Sequence, residues 1–244
     1  MGQTAALSIG IERISTPWIA RMDSDDYSAP SRLQQQMSLL QEDPSLGCVG
    51  TNAWTFLKNS AVAESLIIRP EKHEDIKHAL LWECPIIHGT IVVSRSAIIA
   101  AGGYDPRYRY SADLDLYDRL IRQCRIANIQ KPLIGIRLQS GQGSRSRTAI
   151  EEIIQIYSKR LSSGEYTPQE IAVLEASLSL KFMLNARTGL ADTQLGYFAT
   201  NVGKALRLSP ATVLRYCLPH RLRNSYSLRE WKLGEKRFHP PPAL

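Results

Sequence analysis

The chain has 244 residues, 43% of them hydrophobic and 22% charged, with 30 Lys and Arg against 23 Asp and Glu for a net charge of +7. That balance excludes wholesale disorder and supplies the core of one large domain, or of one domain with an appendage. No apolar run approaches the roughly 18 residues that span a bilayer, and the opening residues lack the charged start and long apolar stretch of a signal peptide, so a cytoplasmic chain is expected.

In chain order, Pro17 to Met22 is a short apolar run that ends in acids, and it predicts a buried strand delivering Asp23, Asp25 and Asp26 at its C-terminal end. Pro30 to Leu40 predicts a helix, closed by Asp43-Pro44. Leu46 to Thr51, Trp54 to Leu57 and Ser65 to Arg69 predict strands. Pro70-Glu71 opens a helix to about Leu81. Thr90 to Ser94 is β-branched and apolar, which suits a central strand. A short helix over Ser96 to Ala101 stops at Gly102-Gly103. Asp113 to Cys124 places Leu116, Leu120 and Ile121 on one helical face, and Leu133 to Leu138 predicts one more strand.

From Ala149 the strand signals vanish. Thr167-Pro168-Gln169-Glu170 is a capping box with proline at the first helical position. The helix it opens runs to Arg187 and stops at Gly189. Asp192 caps a helix to about Leu206, Ser209-Pro210 opens another, and Ser227 with Glu230 marks a last one. The expected domains are 1–148 (α/β), 149–237 (helical) and 238–244 (extended). Nine Lys or Arg face two Asp or Glu between Asn201 and Leu244, and taking these from the totals of 30 and 23 leaves 21 of each in the first 200 residues. A tail this basic predicts either a solvated face or peripheral contact with an anionic surface, such as membrane lipid at its inner face. No nucleic acid is expected, because no recognition-helix pattern accompanies the charge. Cys48, Cys84, Cys124 and Cys217 include no CxxC pair and are expected as buried reduced thiols.

Three carboxylates within four residues repel one another. A hard divalent cation, Mn²⁺ or Mg²⁺, relieves that repulsion with one or two carboxylates and substrate phosphates. The bland alternative is a solvated loop in which Asp25 or Asp26 caps the next helix.

The run Ile19-Ala20-Arg21-Met22-Asp23-Ser24-Asp25-Asp26, followed by Pro30, Arg32-Leu33 and Gln36, resembles the central signature of family 2 glycosyltransferases. Ala6 to Ile11 resembles the family's A-L-N-x-G-I segment, with Ser8 in place of Asn, and Val49-Gly50-Thr51 matches its V-G-T. The resemblance implies a nucleotide-sugar donor, a glycan or lipid-linked acceptor and an inverting, metal-dependent transfer. It gives Asp23 to the nucleotide ribose or the metal, and Asp25 to the cation that bridges the diphosphate. Asp26 is expected to cap the following helix, and Arg32 to brace the loop carboxylates by a salt bridge.

A second set of residues follows the same family: Pro85 to His88, Arg95, Gly102-Gly103-Tyr104-Asp105, and Asp113 before Leu114-Asp115-Leu116. The family's acidic pair is Glu-Asp. Here Ala112 replaces the Glu and Asp113 remains, so the resemblance implies Asp113 as the general base. By position alone Asp113 is an N-cap. Asp115 is read as structural or acceptor-side. His88 has three readings: substrate contact, turn cap, or a satisfied core side chain. Tyr104 and Asp105 are weaker acceptor-side candidates. Leu133 to Gln139 resembles a segment that usually ends in His. Gln139 is a poorer metal ligand, and Arg137 and Arg145 are the residues left to meet the diphosphate.

The implied fold class is α/β, a partial GT-A sheet, Rossmann-like, with a C-terminal helical appendage. Only 22 residues precede Asp23, so the resemblance covers residues 2 to 145 and the second half of the family's domain, as in an N-terminally truncated relative. The alternative is a catalytically deficient remnant that acts as an interaction module.

Overall fold

The computed structural model describes residues 2–57, 63–138, 146–191 and 193–217. Helix α1 (Gln3–Arg13) leads into strand β1 (Trp18–Ala20), then β2 (Tyr27–Ser28), α2 (Arg32–Glu42), β3 (Leu46–Leu57), β4 (Ala63–Ile67) and α3 (His73–Ala79). A 3₁₀ turn (His88–Thr90) precedes β5 (Val92–Ser94), α4 (Arg95–Ala100), α5 (Ala112–Leu120) and β6 (Arg125–Leu138). Helices α6 (Arg147–Ser162), α7 (Pro168–Ala191), α8 (Leu195–Leu208) and α9 (Pro210–Cys217) follow.

The six strands form one sheet in the order β1-β5-β3-β6-β2, with β4 paired to β3. β3 and β6 run parallel, and the other pairs are antiparallel. β3 organises the sheet because its two halves serve different neighbours. Cys48 and Val49 pair with β5, whereas Ala53 to Phe56 pair with β4. The expected break between two strands near Asn52 is instead a register shift in one long strand. Asn52 stands opposite Pro132 there, and proline has no N–H for a regular ladder.

Alternation along the strands divides the core. Cys48 and Val93 face the large cluster built with α3, α5, α6 and α7, and Val49 and Val92 face a smaller one under Leu40 of α2. Gly50 is fixed by contact. A Cβ there would stand 2.3 Å from Asn128 Oδ1 and 3.1 Å from Ile86 Cγ2.

Helix α2 is locked to the sheet by polar bonds. Arg32 and Gln36, one turn apart, are 2% and 0% exposed. Arg32 donates to Gln36 Oε1 at 3.0 Å, to the Arg21 carbonyl at 2.7 Å and to the Ile91 carbonyl at 3.3 Å. Gln36 Nε2 donates to the carbonyls of Val49 (2.6 Å) and Thr90 (2.8 Å). Arg32 therefore braces backbone, not carboxylates. The expected salt bridge is replaced because the helix turns this side chain under the strands, where carbonyls are the acceptors within reach. Burial holds its pKa below the usual arginine value.

The capping box forms as expected. Thr167 N and Oγ1 donate to Glu170 Oε2, and Glu170 N donates back to Thr167 Oγ1. Its helix passes Gly189 and ends at Ala191. Of the four thiols, Cys48 is buried, Cys84 and Cys124 are partly buried and Cys217 is exposed, so burial fails at Cys217. The expected cap at Asp192, the helix near Ser227 and the extended tail lie outside the described residues.

Gln36→Leu is expected to destabilise the fold by about 2–3 kcal/mol, because it leaves two buried carbonyls and Arg32 short of partners. Gln35→Leu, on the exposed side, is expected to stay within about 0.5 kcal/mol. Urea midpoints of the two variants provide the check.

Candidate functional site

Residues 21 to 26 leave the end of β1, and of these Arg21, Asp23 and Asp26, but not Asp25, line a cleft of about 260 Å³ that Asp113 of α5 also lines. Arg21 and Asp23, both past the end of β1, are joined side chain to side chain. Their fork is bidentate, Nη1 to Oδ2 at 2.7 Å and Nη2 to Oδ1 at 2.6 Å, with Arg21 9% exposed. Asp26 does not cap α2. Its Oδ1 accepts the Arg137 backbone N–H at 3.0 Å, and its own N–H reaches the Asp23 carbonyl at 3.3 Å. The N-cap position falls to Ser31, whose side chain makes no capping bond. Burial raises the Asp26 pKa above its ordinary value of 3.8. The Arg137 N–H opposes this, and the charges of Asp23 and Asp25 add to it.

Arg137 reaches the acidic loop from β6. Its Nε donates to the Asp25 carbonyl at 3.2 Å, its Nη2 to the Tyr27 hydroxyl, and its guanidinium carbon lies 4.9 Å from the Tyr27 ring centre. Tyr27 pairs with Gly135 across β2 and β6 and packs edge-on against Phe56. Gly135 must be small, since a Cβ there would come within 2.7 Å of Phe56 Cε2. Asp25 itself is exposed. Gln139 and Arg145 lie outside the described residues.

Gly89 stands among these charges. The point where its Cβ would sit is 3.3 Å from Arg21 Nη1, 3.3 Å from Asp26 Oδ2 and 3.5 Å from Asp23 Oδ2. Two carboxylate oxygens from different residues thus approach the same point as the Arg21 guanidinium, which offsets part of their charge. Among the described residues no three His, Cys, Asp or Glu side chains make a fuller ligand set.

Asp113 is the second residue of α5. Ser111 holds the N-cap position, and its side chain makes no capping bond. Asp113 Oδ1 accepts its neighbour's Leu114 N–H at 2.8 Å, and the Cys84 thiol lies 3.7 Å from Oδ2. Burial raises its pKa above 3.8, partly offset by the Leu114 N–H and the Cys84 thiol. Asp115 is structural: it is 4% exposed and paired to Arg119 at 2.6 Å. Arg119 also donates to the carbonyls of Ala101 and Gly103, which fastens the turn where Gly102 and Gly103 have φ of 84° and 64°.

His88 is satisfied. Its Nδ1 meets the Tyr117 hydroxyl at 2.8 Å and its Nε2 the Tyr104 hydroxyl at 2.9 Å. Burial pushes its pKa down to about 3, with Arg21 adding to the effect, so the ring is neutral. Tyr104 lines the cleft, whereas Asp105 is engaged by Arg107 at 2.5 Å. Arg109 and Tyr110 also line the cleft and were not singled out from sequence, because nothing in a loop pattern marks them. Arg21 was legible, through its two-residue spacing from Asp23.

Residues 1–102 match the sequence profile described as Glycosyl transferase family 2. An uncharacterized glycosyltransferase of Haemophilus influenzae is 29% identical over 60% of the chain and 54% of its own length. The amylovoran biosynthesis glycosyltransferase AmsE of Erwinia amylovora is 27% identical over 66% of the chain and 61% of its own. The O-antigen biosynthesis glycosyltransferase WbnJ of Escherichia coli is 30% identical over 60% and 58%. The chain therefore spans a little over half the length of these curated relatives. Among solved structures, residues 1–349 of S. aureus TarS superpose with a TM-score of 0.58 at 12% identity, covering 86% of this chain and 61% of that one. Mannosyltransferase PcManGT from Pyrobaculum calidifontis, in complex with GDP-Man and Mn²⁺, gives 0.50 at 16% identity, over 92% and 63%. The fold is of the GT-A type.

His88 with a lowered pKa binds its proton more readily in the unfolded chain, so its contribution to stability is present above about pH 6.5 and is lost as pH falls toward 3. Thermal unfolding between pH 7 and 5 is expected to show a loss of about 1.4 kcal/mol per unit below 6.5 from this group. His88→Gln is expected to flatten that slope.

Proposed function

We infer, from a chain whose first 102 residues belong to glycosyl transferase family 2, a glycosyltransferase that moves a sugar from a nucleotide donor to a glycan or lipid-linked acceptor with inversion. One observation carries the reading: Asp23 and Asp26 of the acidic loop and Asp113 of α5 line the same cleft. Single displacement needs both kinds of group, a base at the acceptor hydroxyl and charge stabilisation at the departing diphosphate.

In this reading Asp113 takes the acceptor hydroxyl proton as the oxygen attacks the anomeric carbon. Burial raises its pKa, which strengthens it as a base. The donor diphosphate lies along the acidic loop. Asp23 and the exposed Asp25 would hold a divalent cation, Mn²⁺ or Mg²⁺, which would neutralise charge on the leaving diphosphate. Arg21 keeps Asp23 aimed, and Arg137 fixes the loop through the Asp26 and Asp25 contacts. Neutral His88 holds Tyr104 at the cleft wall. The Mn²⁺ and GDP-Man named for PcManGT support a metal and a sugar nucleotide here.

The two carboxylates have separable roles. Asp25→Ala is expected to abolish Mn²⁺-dependent binding of UDP or GDP in calorimetry. Asp113→Asn is expected to bind as wild type while kcat falls about 10²- to 10⁴-fold. The wild-type acid limb of kcat/KM is expected above pH 3.8, since burial raises the base. Asp113→Asn is also expected to keep or raise the melting temperature, because an ionised buried carboxylate with a raised pKa weakens the fold at pH 7. Nucleotide binding lost in both variants, or in neither, contradicts this division.

A lipid-linked acceptor suits a chain drawn to anionic lipid. The excess of nine basic over two acidic residues after Asn201 supports such contact. In α8, Leu195 and Leu206 are both exposed and eleven residues apart, about three turns, and so share a face. The chain is expected to co-sediment with vesicles rich in phosphatidylglycerol and to be released by salt. Equal binding to neutral phosphatidylcholine vesicles argues against this contact. Among the described residues no helix is long and apolar enough to cross a membrane.

A further inference from the structure

Glu152 of α6 is 5% exposed and has no cationic partner among the described residues. Its carboxylate is spent entirely on backbone. Oε1 accepts the Arg109 N–H at 2.8 Å, and Oε2 accepts those of Tyr110 and Ser111, both at 2.8 Å. Three consecutive amides converge on one buried anion, a geometry that only a compact turn offers and that fixes the backbone of all three residues. The same turn is tied twice more. Ser111 Oγ donates to the Ala149 carbonyl at 3.3 Å, and Thr4 of α1 donates to the Tyr108 carbonyl at 2.8 Å.

What the turn holds gives the clamp its meaning. Asp113 stands two residues past Ser111, and Arg109, Tyr110, Ala112 and Asp113 all line the cleft. The opposite end of this segment is fastened from within α5 by Arg119 on Gly103. At the 109–111 end α5 contributes the Asp115 N–H to the Ser111 carbonyl at 3.3 Å, and the three amides are satisfied from α6. The cleft wall that bears the base is therefore held by a carboxylate about 40 residues downstream of it, on a helix that contributes no side chain to the cleft.

We propose that Glu152 is a positioning residue for Asp113: by binding the amides of Arg109, Tyr110 and Ser111 it fixes the acceptor-side wall, making α6 part of the transfer machinery. This rests on the reading of Asp113 as base. Glutamine at 152 keeps the size but offers one acceptor oxygen, and its amide nitrogen faces N–H groups that need an acceptor. A released wall lets Asp113 drift, and a displacement of about 1 Å in a reacting group lowers turnover about 100-fold.

The test compares the full chain with Glu152→Gln and with Glu151→Gln. Glu151 is the adjacent carboxylate, bonded to Arg147 and to the Tyr197 hydroxyl. In hydrogen exchange, Glu152→Gln is expected to speed exchange of the 109–111 amides about tenfold or more while those of β3 and α2 stay protected, and Glu151→Gln is expected to change neither. In kinetics, kcat is expected to fall about 10- to 100-fold with Mn²⁺–nucleotide affinity unchanged, and the acid limb to move toward pH 3.8 as Asp113 meets water. Unchanged 109–111 exchange overturns the clamp. Released amides with unaltered kcat overturn the positioning role. So does a loss of nucleotide affinity in step with kcat, which marks general destabilisation. If transfer is absent from wild type, or survives Asp113→Asn, the role assigned to Asp113 fails and the positioning claim fails with it. The exchange result then still reports whether the clamp exists.

Discussion

A guanidinium and an amide, buried one turn apart on α2, hold this structure in register. Arg32 and Gln36 bond to the carbonyls of Arg21, Ile91, Val49 and Thr90, that is, to the end of β1, the approach to β5, the middle of β3 and the 3₁₀ turn. A charged group so deep normally needs a counter-ion. Here carbonyl dipoles serve, and they come from the segments that carry the acidic loop and Gly89. The loop can therefore crowd three carboxylates without collapsing, because its base is fixed from behind by a group that repels no anion.

Charge at the cleft follows from that base. The repulsion among Asp23, Asp25 and Asp26 is met first by protein groups. Arg21 forks Asp23, and β6 supplies a backbone N–H to Asp26. Gly89 stands against what is left, where Arg21 Nη1 lies near the Asp23 and Asp26 oxygens. The same cleft is lined by Asp113, whose pKa burial raises, by a neutral histidine and by the Tyr104 phenol. Two kinds of acid, one solvated and one half-buried, are what a reaction with a leaving anion and a departing proton requires.

Much of this was legible in the chain. The apolar run ending at Met22 gave the strand and the loop but not the burial, since β1 is an edge strand with Trp18 and Ile19 half-buried and Ala20 exposed; the pair Thr167 and Glu170 gave the start of α7, and the glycines at 102 and 103 gave the turn with positive φ. The errors arose where a distant partner overrode a local cue. Asp26 has the residue type and place of a cap, yet the amide of Arg137, 111 residues away, claims its side chain. Arg32 lies six residues after an acid, yet the helix turns it under the sheet. Helix α1 carries no cap and only Thr4 and Ile11 as buried residues, so its apolar stripe is weak. The strand expected over Leu133 to Leu138 begins at Arg125, because pairing with β3 completes a stretch whose polar residues and proline give no local strand cue. Glu152 left no trace in the pattern, since its three partners are backbone amides 41 to 43 residues away.

The bond between Asp26 and β6 comes from main chain, and that has a consequence for how the loop tolerates change. Every residue except proline carries the same N–H at position 137. The spacing of the acidic loop from the sheet is thus written into strand register and is insensitive to the identity of the side chain. Sequence drift at that position can retune charge and stacking around Tyr27 while the carboxylate of Asp26 stays where the sheet puts it.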